Sequence, residues 1–362
     1  MLVALLIFLA VIGANVIVSV YLERKLSAFI QDRLGPMEVG KWGLLQLIAD
    51  LLKLFQKEDI IPDSADKKLF KAAPYLIFAA IFAGFALIPI NKLLQGADLQ
   101  SGVFVLIGVI SLDIIGILMA GWSSNNKYAL LGSMRSVAQI LSYEVPIGLC
   151  ILCVAITSAS LNLQEIVSFQ GVFSTEPNYL FGIKALGIET TNVGGFLTWN
   201  IFRSPFLFIV FIVFVISGLA EANRAPFDLP EAESELIAGF HTEYSGFRWA
   251  IIFLAEYGMM LLLAFMAAIL FLGGWNTAFP NIGSLKLADW TSGSEGSIAM
   301  HLWGAFWMFS KAYLGMLVQM WVRWTLPRLR IDQLMYLCWK VLTPLCLIMV
   351  LVSAFWRILM IW

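Results

Sequence analysis

The chain has 362 residues, of which 60% are apolar and only 13% are charged, against roughly 25% charged residues in an ordinary soluble domain. Its mean hydropathy of +0.86 leaves too little polar surface to cover a soluble protein of this size, which excludes a soluble enzyme and a disordered chain. The net charge of −1 excludes a broadly basic surface for nucleic acid, so the composition predicts a polytopic membrane protein.

Eight apolar segments are long enough to cross a bilayer as helices, since about 20 residues are needed. They are residues 1–22, 73–91, 103–122, 134–157, 199–220, 248–272, 301–326 and 336–360. The first lacks a preceding basic stretch, and we therefore interpret it as a retained helix and not as a signal peptide. The predicted fold is an all-α polytopic membrane protein with eight transmembrane helices plus amphipathic cytoplasmic helices, a single transmembrane domain over residues 1–362.

The loop at residues 23–72 decides the predicted orientation. It carries nine of the 23 basic residues of the chain, whereas the next loop has Lys92 alone. Cytoplasmic loops carry the excess of Lys and Arg, so this loop is predicted to be cytoplasmic. An even number of spans then places both termini on the periplasmic side, and the expected location is a bacterial cell inner membrane.

The same loop contains an amphipathic segment at residues 42–57. Its polar residues Gln46, Asp50, Lys53 and Lys57 recur at i, i+4, i+7 and i+11 and form one narrow stripe on a helix. One interpretation is a helix that lies on the membrane surface. Because a surface helix usually has a broad basic face, the thin stripe of mixed sign favours a helix whose polar side lines a polar slot.

The predicted cytoplasmic loop at residues 221–247 is acidic. It holds six acids and a single base, and the acids are Glu221, Asp228, Glu231, Glu233, Glu235 and Glu243. Asp228 and Glu231 have the spacing of a capping box, which predicts the start of a helix. On that helix Glu231 and Glu235 share a face, and in a partly dehydrated site their repulsion would raise at least one carboxyl pKa toward neutrality. The alternative is a solvated acidic loop.

Four charged residues lie well inside predicted spans, namely Asp113, Glu144, Glu256 and Lys311. Each costs roughly 2.5–3.5 kcal/mol at the centre of a membrane helix, which makes each a candidate functional residue. Intramembrane carboxyls that follow an acidic loop indicate a proton path, and the alternative is a set of structural ion pairs. No individual role is predicted for Asp113 or Lys311.

The sequence shows no pattern for a metal or a redox cofactor. The two histidines, His241 and His301, are isolated, and the chain has no dinucleotide-binding or phosphate-binding glycine loop. Cys150 and Cys153 have the spacing of a redox motif but lie alone in an apolar run, so we interpret them as packing residues of a membrane helix. We therefore predict that this chain holds neither a metal nor a redox cofactor of its own.

Five segments of the sequence are distinctive, namely YLERK at 21–25, QDRLGP at 31–36, GLLQLIADLLKLFQKE at 43–58, AQILSYE at 138–144 and AEANRAPFDLPEAESEL at 220–236. Together they resemble the H subunit of NADH:quinone oxidoreductase, the respiratory complex I component known as ND-one in mitochondria. The resemblance covers about residues 1–360. One departure is Met37-Glu38, where the family often has Asn and a basic residue.

The resemblance implies an eight-helix bundle at the junction of the membrane and peripheral arms of a proton-pumping translocase. The residues that it implies for quinone binding are Glu23, Arg24, Arg33, Asp50, Arg224 and Phe227. Those that it implies for the proton path are Glu144, Glu221, Asp228, Glu231, Glu233, Glu235 and Glu256. The substrate would be ubiquinone or menaquinone, with no group bound covalently. FMN and iron–sulfur clusters would belong to partner subunits, which comprise the quinone-site peripheral subunits and the neighbouring membrane-arm subunits.

Two other functions stay open at this point. One is a membrane subunit of a related group 4 hydrogenase, and the other is a stand-alone proton-coupled secondary transporter. A transporter would be expected to show repeated halves, which we do not find in this sequence. The loops at 159–198 and 277–298 receive no predicted role.

Overall fold

A computed structural model of the chain describes residues 2–172, 174, 177–183, 187, 189–229, 236–282, 285–294 and 296–361. The described residues are almost entirely helical and contain no β-strand beyond two isolated bridges. The α-helices in chain order are α1 Leu2–Ile30, α2 Gln46–Gln56, α3 Lys67–Leu87, α4 Gly102–Ile110, α5 Leu112–Ser123, α6 Lys127–Ser158, α7 Leu163–Ser168, α8 Thr190–Val193, α9 Asn200–Arg203, α10 Leu207–Glu221, α11 Gly246–Phe271, α12 Leu287–Ser292, α13 Ile298–Thr325, α14 Ile331–Tyr336 and α15 Thr343–Ile361. A π-helical turn at Leu337–Leu342 joins the last two, and short 3-10 turns occupy Lys41–Gly43, Leu180–Gly182, Gly195–Thr198 and Gly239–His241.

Five helical segments of the described chain are long and apolar enough to cross a membrane. They are Lys67–Leu87, Gly102–Ser123, Lys127–Ser158, Gly246–Phe271 and Ile331–Leu359. A sixth apolar helix, α10, is shorter, with 15 residues. The chain is therefore an all-helical polytopic membrane protein, as its composition predicts, and the number of eight spans stays a prediction.

Helix α11 lies at the centre of the bundle. Its residues are apolar on all sides, and a helix of that kind is stable only when it is surrounded by other helices. It packs against α1, α2, α3, α10 and α13. Because α11 carries Glu256 and Tyr257 within this apolar length, these two polar side chains are held in the interior of the bundle.

The span predicted at 103–122 corresponds to the helical segment Gly102–Ser123, in which α4 and α5 meet at Ser111. The Ser111 N–H still donates to the Ile107 carbonyl oxygen at 3.0 Å, so the segment continues through this position. The span predicted at 199–220 is divided by Pro205, which ends α9 and precedes α10, because proline lacks the N–H that a continuous helix needs.

The four cysteines lie where α6 packs against the last helical segment of the chain. All four are buried and reduced, and the Cys150 and Cys346 sulfurs are 3.6 Å apart. The prediction that Cys150 and Cys153 are packing residues of a buried helix is confirmed, since both side chains are 0% exposed.

Candidate functional site

A cluster of buried charges forms around Glu23 of α1. This carboxylate accepts hydrogen bonds from the Tyr257 hydroxyl at 2.6 Å and from Arg224 Nη1 at 3.4 Å. It also pairs with Arg323 near the end of α13. Only 3% of Glu23 is exposed, so the charge is balanced by protein groups and not by water.

Arg224 connects this cluster to a second carboxylate. Its Nη2 atom lies 3.7 Å from Glu256 Oε2, and its guanidinium carbon lies 4.3 Å from the centre of the Tyr257 ring. Burial alone would lower the pKa of Arg224, but Glu256, Tyr257 and Glu23 raise it, and the net change is upward. Arg224 therefore stays cationic and joins two acids that lie on different helices.

The local sequence explains why Arg224 points into the bundle. Helix α10 ends at Glu221, and Asn223 takes a left-handed conformation with φ of 50°, which asparagine tolerates better than most residues. The side-chain amide of Gln139 on α6 donates to the carbonyl oxygens of Ala220 at 2.7 Å and Phe227 at 2.8 Å. These bonds fix the loop on both sides of Arg224.

A small cavity of about 30 Å³ lies beside Arg224, between α3, α5, α10 and α11. This is room for roughly two water molecules. Its walls include the acids Asp113, Glu221 and Glu256 and also His241. The three carboxyl groups line this one small cavity, so ionisation of one disfavours ionisation of the others.

Glu144 extends this set of acids into the bundle. Its carboxylate accepts a hydrogen bond from Ser111, which lies where α4 meets α5 and two residues before Asp113. Arg224 thus links Glu23 to Glu256, Glu256 shares the small cavity with Asp113 and Glu221, and Glu144 lies on the Asp113 side of this set.

A larger cavity of about 280 Å³ lies between α1, α2 and α11. Its apolar walls include Val20, Leu47 and Phe253, and its polar side is the stripe of α2 with Asp50, Lys53 and Lys57. Arg24 Nη1 lies 2.5 Å from Asp50 Oδ2, and the Gln46 amide donates to Asp50 at 3.1 Å. The polar stripe therefore faces a slot inside the chain.

The opposite face of α2 is apolar and mostly exposed in this chain. Leu45, Ile48, Leu52 and Phe55 are each 46–62% exposed, although the Phe55 ring stacks on the Phe247 ring of α11 with 4.8 Å between centroids. The predicted apolar surroundings of α2 are therefore provided only in part by this chain.

Helices α1 and α11 link the wall of the α2 cavity to the buried ion cluster. Glu23 and Arg24 are neighbours on α1, one in the buried cluster and the other in the wall of the α2 cavity. On α11 the Phe253 ring lies in the same wall and contacts the Tyr257 ring, with a distance of 4.8 Å between centroids. Arg24, in the wall of the α2 cavity, is thus the next residue in the chain to Glu23 of the buried ion cluster.

Other residues that the sequence singled out lie elsewhere. Arg33 is exposed in a turn after α1. Phe227 is buried, with its ring 5.6 Å from that of Tyr143. Asp228 pairs with Arg328 at 3.1 Å. Three further acids of the loop lie outside the described residues, namely Glu231, Glu233 and Glu235.

Sequence reasoning missed three members of the site. Arg323 lies inside the apolar span predicted at 301–326, and its charge there was the signal that could have identified it. Asp113 was identified as an intramembrane acid but received no role, and His241 was considered only as a metal ligand. Among the described residues, no group of three or more possible ligands could hold a metal ion.

Comparison with known proteins gives consistent matches over nearly the whole chain. The family model described as NADH dehydrogenase matches residues 3–354. The chain is 56% identical over 345 residues to the second NADH-quinone oxidoreductase H subunit of Cytophaga hutchinsonii, with 94% of each chain covered. It is 51% identical over 340 residues to the H subunit of Chlorobaculum parvum, covering 94% of this chain and 87% of that protein. For the H subunit of Bacteroides thetaiotaomicron the identity is 41% over 339 residues, covering 93% and 85%.

Proposed function

The chain belongs to the NADH dehydrogenase family and is a subunit of an NADH-quinone oxidoreductase, and on that premise we propose how it serves the complex. The α2 cavity receives the quinone, and the buried acids transmit the consequence of quinone reduction into the membrane. The names of the relatives are those of oxidoreductase subunits, which argues against a stand-alone transporter and against a component of a hydrogenase.

The composition of the α2 cavity supports quinone binding. Its volume of about 280 Å³ is close to the lower end of the range for small-molecule sites, roughly 300–1,000 Å³. Apolar walls on α1 and α11 suit an isoprenoid tail and the faces of a quinone ring. Arg24 and Lys53 can donate hydrogen bonds to the quinone carbonyl oxygens, and Asp50 keeps Arg24 in place through their ion pair.

The grouping of the acids supports a proton path. Two-electron reduction of a quinone places negative charge near Arg24 until two protons reach the quinone oxygens, so the charge there changes during turnover. The change reaches Glu23, the neighbour of Arg24, and then Glu256 through the shared cation Arg224. Like charges around one small cavity cannot all be ionised at low cost, so a shift in one carboxylate favours uptake or release of a proton by the next.

We propose the following arrangement in the membrane. The end of the bundle that carries α2 faces the cytoplasm, both termini are periplasmic, and the chain crosses a bacterial inner membrane eight times. Neighbouring subunits of the membrane arm and the peripheral quinone-site subunits surround it. Those partners, and not this chain, hold FMN and iron–sulfur clusters.

One observation carries the proposal, namely the buried Arg224 that joins an acid beside the α2 cavity to an acid of the inner cavity. The test of quinone binding is Asp50→Ala in the assembled complex. Alanine preserves the helix but releases Arg24, and we expect a raised quinone KM or an altered response to quinone-site inhibitors. NADH oxidation with ferricyanide should not change, because electrons then bypass the quinone.

The matched control is Asp63→Ala, since Asp63 is exposed in the same loop and lies outside the cavity wall. Unchanged quinone kinetics in Asp50→Ala would assign the polar stripe of α2 to a structural role. The quinone that is extracted with the purified complex would identify the substrate as ubiquinone or menaquinone.

A further inference from the structure

Pro146 interrupts the backbone hydrogen bonds of α6 next to one of the intramembrane acids. Proline has no N–H to donate to the carbonyl oxygen four residues earlier, which here belongs to Ser142. The helical turn between these two residues contains Glu144. One of the bonds that would fix the direction of Glu144 is therefore missing from α6 itself.

The last helical segment of the chain supplies a donor at this position. The thiol of Cys338 donates to the carbonyl oxygen of Ser142 at 3.0 Å. One residue further along α6, the hydroxyl of Tyr143 donates to the carbonyl oxygen of Leu334 at 3.0 Å. Cys338, Tyr143 and Leu334 are each 0% exposed, so neither bond competes with bulk water. Two hydrogen bonds of opposite direction thus join the interrupted turn of α6 to the last segment.

The π-helical turn explains why Cys338 faces α6. The buried residues of the last segment recur every four positions and are at most 3% exposed, namely Leu334, Cys338, Leu342 and Cys346. On a regular α-helix such a row would drift around the axis, because one turn holds about 3.6 residues. The wider π-helical turn at Leu337–Leu342 offsets this drift. The row therefore stays on the side of α6, where the Cys346 sulfur also contacts that of Cys150.

Glu144 is consequently fixed from two sides. Its carboxylate accepts a hydrogen bond from Ser111, where α4 meets α5. The backbone just before it is joined to the last segment through Ser142 and Tyr143. A shift of that backbone would turn the carboxylate away from Ser111 and so from Asp113, which lines the small cavity two residues later.

We propose that Cys338 is a positioning residue for Glu144. Its thiol replaces the backbone donor that Pro146 lacks and keeps the interrupted turn of α6 in the conformation that directs Glu144 toward Ser111. Cys338 exchanges no proton with the acids and acts only through the Ser142 carbonyl oxygen. The inference rests on the proposed function, since it places Glu144 on the proton path.

The test compares Cys338→Ala with Cys338→Ser in the complex reconstituted into liposomes. Alanine removes the donor, whereas serine keeps one as a hydroxyl. In Cys338→Ala we expect quinone turnover and proton pumping per assembled complex to fall at least about fivefold, the effect of one buried acceptor left without a donor. The quinone KM should not change, because the α2 cavity is lined by α1, α2 and α11. Cys338→Ser should restore most of the turnover.

The matched control is Cys346→Ala. It removes a sulfur from the same buried row, but that sulfur contacts the Cys150 sulfur and not the backbone of α6. Both alanine variants leave a cavity of similar size, so a packing role alone would lower the Tm of both to a similar extent. Normal turnover in Cys338→Ala, or an equal loss of turnover in Cys346→Ala, would overturn the proposal.

A second pair of variants gives an answer if Cys338→Ala does not assemble. Cys338→Thr and Cys338→Val both fill the site, and they differ only in a hydroxyl against a methyl group. We expect higher turnover in Cys338→Thr, since it alone retains a donor for the Ser142 carbonyl oxygen. Equal turnover in the two assembled variants would overturn the proposal.

Glu144→Gln in the same assay separates this inference from the proposed function. If Glu144 took no part in coupling, Glu144→Gln would turn over and pump normally. If only the positioning role is wrong, Glu144→Gln loses turnover and Cys338→Ala does not.

Discussion

Replacing Arg224 by Met tests how strongly two acids depend on one buried cation. The guanidinium lies 3.4 Å from Glu23 and 3.7 Å from Glu256, and only 4% of its side chain is exposed. At an effective dielectric constant of about 20, these distances correspond to roughly 5 and 4.5 kcal/mol of Coulomb attraction. Desolvation offsets part of this gain, and removing one partner of a buried pair costs about 3–5 kcal/mol.

Since each 1.4 kcal/mol is a factor of ten, even the lower value changes an equilibrium by roughly 100-fold. We expect Arg224→Met to reduce the amount of assembled complex on native gels and to lower its Tm. Any complex that does assemble should reduce quinone more slowly, because Glu23 and Glu256 no longer share a cation. Arg224→Lys should have a smaller effect, because it keeps the charge but loses the planar group that stacks on Tyr257.

The control is Arg248→Met, which breaks the pair between Arg248 and Asp59 at 2.7 Å. The Arg248 side chain is 12% exposed and that of Asp59 is 43% exposed, so the acid left behind stays in contact with water and the change should cost less than Arg224→Met. Combining Arg224→Met with Glu256→Gln should recover part of the lost stability, since the double variant no longer buries an uncompensated charge. Wild-type assembly and turnover in Arg224→Met would refute the view that this cation joins the two acids.

Three more predictions follow from the same geometry. Glu144→Gln keeps the shape of the side chain and the hydrogen bond from Ser111, so the complex should assemble, but quinone turnover and pumping should fall together several-fold. The control is Glu165→Gln, at an exposed position. Normal turnover and pumping in Glu144→Gln would make this acid structural. Ala250→Phe adds a ring in the wall of the α2 cavity and should raise the quinone KM. The larger side chain should also cost about 1–3 kcal/mol of stability through overpacking. An unchanged KM would place the quinone elsewhere. Cysteine introduced at exposed Ser64 should react with an impermeant thiol reagent only from the cytoplasm, and cysteine introduced at exposed Ser294 only from the periplasm. The background should be low because the native cysteines are buried. Reversed labelling would overturn the proposed orientation.

The sequence was most informative about features that depend on a single helix, such as its position in the chain and the direction of its polar side. Apolar length identified the helices of the bundle, because backbone polar groups within a membrane must be bonded inside the helix. The stripe with Asp50 and Lys53 predicted the polar side of α2, since side-chain directions on a helix follow from spacing alone. Charge inside an apolar run singled out Glu144 and Glu256 for the same reason.

It was least informative where helices distant in the chain meet. Glu23, Tyr257 and Arg323 belong to three helices, and their contact depends on the axial register of α1, α11 and α13, which apolar periodicity leaves undetermined. The hydroxyl of Tyr257 donates to Glu23 on another helix, a contact that the spacing along α11 cannot reveal. Pro205, by contrast, was visible in the sequence and should have divided the predicted span at 199–220.

The shortness of α10 leaves part of a membrane crossing to irregular backbone. A helix of 15 residues rises about 22 Å, whereas the hydrocarbon layer of a bilayer is about 30 Å thick. The break at Pro205 before α10 or the loop after it would have to span the difference. Irregular backbone within a membrane is stable only when protein encloses it, and Glu221, Ala222 and Arg224 are each at most 6% exposed. The enclosure that so short a helix requires is thus also what holds a cation and an acid in the interior of the bundle.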